Sequence, residues 1–354
     1  MLVTASTILD TPANVRRFVA DNLAMGVDHM VVFLDDPLAP DQDQVADELR
    51  GHGQVTCVPT GRDWWAGDRP QGLNVRQRIN VNVALELLAD REWAQWVFHI
   101  DGDEVVALDR EVLAAVPADA DAVWLTPLEC VSQFGATERP TLFKRLLDDD
   151  DLNLLHMLGV LAAPTNSAYF HGHVLGKSGV RPGSGLRLTL HNAVTKSGDR
   201  VPRHKDPRLR VLHHDAVSGE EFVRKWTALL GAGPARFRED RAPTINALRT
   251  LTGKDIPAPI AEKYLRRIYE VTTEDDVTTL HDLGLLEEVD PGQGTHVPEP
   301  IAGSDRASLA ERFAEVRDVP KRPFHVIQRP RQTKAKAKGK GRRRRRGLRA
   351  RVWA

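Results

Sequence analysis

Short apolar runs alternate with longer amphipathic stretches through the first third of the chain. Val3 to Leu9 is apolar and β-branched, and reads as a strand. It ends at Asp10-Thr11-Pro12, where Asp10 or Thr11 can cap a helix with Pro12 near its first turn. Val15, Phe18, Val19 and Leu23 then recur at helical spacing, and Gly26 marks the stop. Met30 to Leu34 is a second buried-strand run and leads into Asp35-Asp36-Pro37. A helix over Asp41 to Arg50, a strand over Val55 to Val58 and a polar, tryptophan-bearing loop over Thr60 to Gly72 come next. A long helix from Val75 to Ala89 and a strand from Trp96 to Ile100 then lead straight into Asp101.

Strand and helix alternating in this way predict an α/β fold built on a doubly wound, mostly parallel sheet with helices on both faces. Strands buried on both faces should be continuously apolar, and these are. Ligands of such sheets bind at the carboxyl ends of the strands, which places Asp35, Asp36, Asp101 and Asp103 along one rim. The second half is less regular. Strands are expected over Ala122 to Leu125, Tyr169 to Val174, Leu186 to Leu190 and Leu209 to Leu212. Ser218-Gly219-Glu220-Glu221 has the form of a capping box and opens a helix to Leu230. Helices over Ala258 to Val271 and Thr273 to Leu280 follow, and no internal repeat is evident.

Composition changes the picture mainly through charge. The chain has 354 residues, 41% hydrophobic and 28% charged, which suits a soluble globular protein. Its formal net charge of zero hides an acidic body of 36 basic and 49 acidic residues and a tail with thirteen Lys and Arg from Arg329 onward. An acidic body makes nucleic acid an unlikely partner. The tail, with Arg342 to Arg346 a block of five arginines, should be disordered; it is either a dispensable solubilising segment or an attachment to an anionic membrane surface. No apolar run approaches the roughly 20 residues of a membrane span. No basic residue precedes an apolar stretch at the N-terminus, so no signal peptide is expected. Cys57 and Cys130, without a Cys-x-x-Cys, argue against thiolate zinc and fit a cytoplasmic protein, with the inner membrane face as a peripheral site.

The chemistry gathers at Asp101-Gly102-Asp103-Glu104. Two carboxylates two residues apart in a turn can converge on Mg²⁺ or Mn²⁺, hard cations that bridge protein to diphosphate. Such a metal stabilises a departing diphosphate as a Lewis acid. The plain alternative is a solvated acidic turn. His213-His214 follows an apolar strand, where an imidazole can complete the metal shell or simply end a strand. Asp35 and Asp36 can accept hydrogen bonds from a base or ribose, or serve the turn before Pro37. Arg76 and Arg78, with Asn82 one turn on, can reach a diphosphate or form a solvated helix face. Trp64-Trp65 can stack on a sugar or base, or cover the core. Gly176-Lys177-Ser178 lacks the earlier glycine of a phosphate-binding loop, which leaves Lys177 and Arg181 as phosphate contacts.

These residues together resemble the GT-A glycosyltransferases. The likeness is carried by Val3 to Asp10, Phe33-Leu34-Asp35-Asp36 and Phe98-His99-Ile100-Asp101-Gly102-Asp103-Glu104. The nearest group is the family-2-like bacterial enzymes related to glycosyltransferase family 92. Gln133-Phe134-Gly135, Gly176-Lys177-Ser178 with Arg181, His191, and His213 with Glu221-Phe222 and Lys225 continue the resemblance to about Trp226. It implies a nucleotide-diphosphosugar donor, a divalent metal and inversion at the anomeric carbon. By it Asp101 sits near ribose and metal, Asp103 binds the metal, and His213 completes the site. The pattern usually has an aromatic after that histidine, and here it is His214, so either histidine can face the metal.

The resulting expectation is a hexosyltransferase-like enzyme using a UDP-sugar and a saccharide or other hydroxyl acceptor. Residues 1–230 form its nucleotide-sugar-binding and catalytic domain, 231–328 a helical C-terminal extension, and 329–354 the basic tail. An inverting transferase needs a general base. Glu129, after the strand at Val123 to Leu125, is the candidate, with Asp199 and Asp215 as rivals. Two other classes compete. Asp101-x-Asp103-x-Val105 after an apolar strand also fits a haloacid-dehalogenase-like phosphatase with Asp101 as nucleophile, although that motif usually opens its domain. A non-catalytic, transferase-like binding protein is the third reading, against which the intact acidic pair argues.

Overall fold

The structure, a computed structural model, describes residues 1–231 and 242–329. The expected basic tail lies, beyond Arg329, outside the described residues. The first elements are β1 (Leu2–Ile8), α1 (Pro12–Ala24), β2 (His29–Leu34), α2 (Gln42–Gly51), β3 (Val55–Pro59), α3 (Leu73–Leu87) and β4 (Trp96–His99). Thr11 caps α1 by accepting from the Asn14 N–H, and Pro12 opens it, as the local sequence dictates. The four strands lie in the order β3-β2-β1-β4, all parallel. Alternation along each strand feeds two cores. Met30, Val32 and Leu34 of β2 pack with α1 and α2 on one face, whereas Val31 and Phe33 pack with α3 on the other.

After the Asp101 turn the chain adds β5 (Glu104–Leu108), α4 (Arg110–Ala115), β6 (Ala122–Cys130), β7 (Leu142–Lys144), α5 (Asp149–Met157), α6 (Asn166–Tyr169) and β8 (Lys177–Val180). A small hairpin of β9 (Arg187–Leu188) and β10 (Ala193–Val194) precedes β11 (His204–His213) and α7 (Gly219–Gly231). The last elements are α8 (Ala242–Thr252), α9 (Ala258–Thr272), α10 (Val277–Asp282), β12 (Leu286–Glu288) and α11 (Gly303–Glu315). The main sheet runs β12-β7-β6-β8-β4-β1-β2-β3, with β11 on β6 and β5 on β11. Only β5, β7 and β8 oppose the common strand direction. This is the doubly wound, mostly parallel α/β arrangement, with helices on both faces, that the alternation predicts. Among the described residues no helix is long and apolar enough to cross a membrane.

Two local expectations are corrected, and one open alternative is resolved. The strand from Ala122 does not end at Leu125 but runs to Cys130, held by β11 along its length, so Glu129 lies on a strand and not in a loop. Tyr169 to Val174 is not a strand; α6 ends at Tyr169, and the His171 and Gly172 amides donate to the Glu129 carboxylate rather than to a ladder. Trp64 and Trp65 are buried. Their indole N–H groups donate to Asn80 and to the Thr60 carbonyl, and Trp64 packs with Phe33 and with Phe313 of α11.

Candidate active site

The site grows from strand register. β11 lies between β5 and β6, and His213 is paired with Glu104 on one side and with Glu129 on the other. Directly opposed residues on neighbouring strands project to the same face, so one row of the sheet brings two carboxylates to either side of one imidazole. The turn before β5 adds Asp103, whose carbonyl accepts from the His214 N–H at 2.9 Å. His213 Nε2 lies 3.7 Å from Asp103 Oδ2 and 4.0 Å from Asp215 Oδ1, and its Nδ1 lies 3.5 Å from Glu129 Oε2. His214 points elsewhere and meets the edge of Phe143. Of the adjacent pair, His213 therefore faces the acidic turn.

A segment that the sequence reading missed completes the cluster. In His171-Gly172-His173, consecutive residues meet three different carboxylates. His171 Nε2 is 3.0 Å from Asp275 Oδ1, the Gly172 N–H donates to Glu129, and His173 Nε2 is 3.1 Å from Glu104 Oε1. His173 also stacks on His213, with ring centroids 5.0 Å apart. A Cβ on Gly172 would collide with the His213 ring and with Glu129, which fits a glycine between two histidines. That spacing was the available sequence signal.

Lysines answer the buried acids. Lys177 is fully buried at the start of β8 and donates to Asp101 Oδ2 at 2.5 Å, with Glu104 Oε2 at 3.0 Å. Gln77 of α3 donates to the other Asp101 oxygen at 2.6 Å. Lys225 of α7 reaches Asp103 at 2.8 Å and Asp215 at 2.7 Å. Lys144 of β7 lies 3.2 Å from Glu129. Burial would raise the Asp103 carboxyl, but Lys225 and His213 hold it well below the usual carboxylate range. Burial opposes charge on His213 too, yet Asp103, Glu129 and Asp215 outweigh it and push the imidazole up to about 10. Burial, helped by the nearby charges of Arg139 and His213, drives His214 down to about 4.

Among the described residues, two groups have ligand atoms close enough to share a cation: Asp103, His213 and Asp215, and Glu104, His173 and His213. Asp101 belongs to neither; Gln77 and Lys177 engage its two oxygens. The first group is the better cation site. It lies at the partly exposed turn, and its oxygen and imidazole donors suit Mn²⁺ or Mg²⁺. Charge favours it as well. Six carboxylates (Asp101, Asp103, Glu104, Glu129, Asp215 and Asp275) face three ammonium groups (Lys144, Lys177 and Lys225) and the imidazolium of His213. Glu104, by contrast, is enclosed and already neutralised by Lys177.

Farther along the same strand-end rim, a cleft of about 260 Å³ opens at the carboxyl ends of β2 and β3, lined by Asp35, Asp36, Thr60, Arg62, Trp65 and Arg69 among others. Asp35 is buried and takes a bidentate pair from Arg76, both contacts at 2.6 Å. Asp36 is exposed and accepts from the Leu38 N–H, the turn role open to it. Arg76 and Gln77 are neighbours on α3, so one helix braces both the cleft and the Asp101 turn. Arg78 turns aside and donates to the Asn74 carbonyl. Arg181 lies over the Trp96 ring and reaches the Val116 and Ala120 carbonyls. Asp199 is exposed in a turn with Ser197 and Arg329.

No family model matches the chain, and no curated protein matches it. Among solved structures, it is similar to HddC from Yersinia pseudotuberculosis, at 15% identity and a TM-score of 0.25 over 51% of this chain and 76% of that one. It is also similar to 4-diphosphocytidyl-2C-methyl-D-erythritol synthase from Anaerococcus prevotii, at 12% identity and a TM-score of 0.25 over 51% and 70% of the two chains. Likeness this distant carries no argument about activity, and the functional reading rests on the geometry of the site.

Proposed function

We propose that the protein is a metal-dependent glycosyltransferase of GT-A type. It would move a sugar, with inversion, from a nucleotide-diphosphosugar, UDP-linked by preference, to a saccharide or other hydroxyl acceptor. The observation that supports this best is the placement of the Asp103–His213–Asp215 group at the same strand-end rim as the Asp35 cleft. The cleft offers two guanidinium groups to a diphosphate, Arg62 and Arg69, the second also donating to the Asp35 carbonyl. Asp103, His213 and Asp215 would hold the metal, and Asp101 would stand beside it, fixed by Lys177. The bound cation would neutralise the leaving diphosphate.

The chain's own residues do the rest. Lys225 lies between Asp103 and Asp215 where the cation would bind, so its ammonium is placed to turn toward phosphate oxygens once a metal takes the carboxylates. Glu129 is enclosed by Lys144 and by the His171 and Gly172 amides; we assign it to holding His213, not to meeting an acceptor. The phosphatase alternative needs a free Asp101 carboxylate, and Gln77 and Lys177 engage both of its oxygens. Release of nucleoside diphosphate from a panel of UDP-, GDP- and TDP-sugars tests the proposal. We expect release that needs Mn²⁺ or Mg²⁺ and is lost in Asp103→Ala. Phosphate release from simple phosphate esters, with no nucleotide-sugar turnover, would contradict it.

A further inference from the structure

Behind the cation group runs a buried chain of charge that the proposed transfer does not itself use. Asp275, between α9 and α10, reaches into the sheet. Its Oδ1 accepts from Lys144 at 2.9 Å and lies 3.0 Å from His171 Nε2, and its Oδ2 accepts from the Ser132 N–H at 2.8 Å. Lys144 is fully buried on β7; it also donates to the Tyr169 carbonyl and pairs with Glu129. Glu129 in turn stands 3.5 Å from His213 Nδ1, the ring nitrogen on the far side from Asp103.

Such a chain is costly to bury, and an apolar core of similar shape would often be as stable. What it supplies is position. A carboxylate 3.5 Å behind one imidazole nitrogen holds the ring by charge, with Nε2 turned toward Asp103 and Asp215. A metal there would bind in place of the Nε2 proton. The carboxylate must itself be held, and here Lys144, His171 and Gly172 hold it.

We propose that Asp275 and Lys144 are positioning residues of the catalytic centre, which lock Glu129 behind His213 and make the segment after α9 part of the site. The inference rests on reading Asp103, His213 and Asp215 as a cation site.

Mn²⁺ titration of the full chain without nucleotide, with a thermal melt of each variant alongside, tests it. Asp275→Asn keeps the shape and removes the charge; its Mn²⁺ Kd should rise by about 10- to 100-fold. Asp276→Asn is the control. It weakens the cap that accepts from Thr279, next door in sequence but outside the chain of charge, and should leave the Kd unchanged. Should Asp275→Asn fail to fold, His171→Ala removes one of the three partners of Asp275 at a less enclosed position, and should also weaken Mn²⁺ binding. Wild-type affinity in folded Asp275→Asn, or in His171→Ala if the first variant does not fold, would overturn the inference while leaving the cation site in place. A wild-type chain that binds no Mn²⁺ would overturn both.

Discussion

Gly172 has no room for a side chain, because a methyl group there would meet the His213 imidazole and the Glu129 carboxylate. Gly172→Ala should therefore cost about 1–3 kcal/mol, the usual range for overpacking, and should weaken Mn²⁺ binding by displacing His213. Urea unfolding and a Mn²⁺ titration check both effects, and a wild-type result in each would refute the placement of the ring. A second consequence at this scale concerns pH. His29, His99 and His214 are buried and held down to about 4, in each case chiefly by loss of solvent. Unfolded imidazoles titrate near 6.5. The folded pKa is the lower one, so this stability is full above about pH 6.5 and is lost as pH falls from there toward 4. The loss approaches about 1.4 kcal/mol per pH unit for each group. His29 sits away from the acidic cluster, against Thr56 and Trp93. His29→Gln should therefore flatten the fall in melting temperature between pH 6.5 and 4.5 without touching the site; an unchanged slope would contradict a neutral buried His29.

At the scale of elements, α7 carries cations onto the rim. Ser218 starts it by accepting from the Glu221 N–H, but the Glu221 carboxylate is taken by Arg224, so only half of the capping box forms. Arg224 reaches Asp10 beyond β1, and Lys225 reaches Asp103 and Asp215. If Lys225 competes with a cation for those two carboxylates, Lys225→Met should bind Mn²⁺ more tightly in the absence of nucleotide. Calorimetry reads this directly, and weaker binding would show that the lysine supports the site rather than fills it. The elements also show what the sequence could disclose. The strands and helices up to Asp101 were legible because the apolar runs of β1, β2 and β4 are buried on both faces and each run is closed by turn residues. The rest depends on pairings between distant segments. Nothing local indicates that β11 enters between β5 and β6, or that His171 to His173 gives its amides to a side chain. The acidic turn and His213 could be found as strand-end residues. Their convergence, and the aim of Arg76 and Gln77 rather than Arg78, needed the register.

Across the whole molecule, the last described elements close back on the first. Phe313 of α11 packs against Phe33 and Trp64, and Leu309 is fully buried in the same core. Phe313→Ala should cost about 3–5 kcal/mol, read as a lower urea midpoint, whereas a loss below about 1 kcal/mol would mean that α11 is only peripherally attached. Ending the chain after Arg329 should leave the cooperative melt and Mn²⁺ binding as they are, because the cation group and its supports lie within the described residues. The central claim is that the acidic rim binds a nucleotide sugar through a metal, and a melt is its most direct test. Melting temperatures would be read with UDP-, GDP- and TDP-sugars, with and without Mn²⁺, for the wild type and Asp103→Ala. A ligand at 100 times its Kd stabilises by about 2.7 kcal/mol, a rise of a few degrees. The account predicts such a rise for one nucleotide class, only with Mn²⁺ and only in the wild type; equal melts in every condition would contradict it.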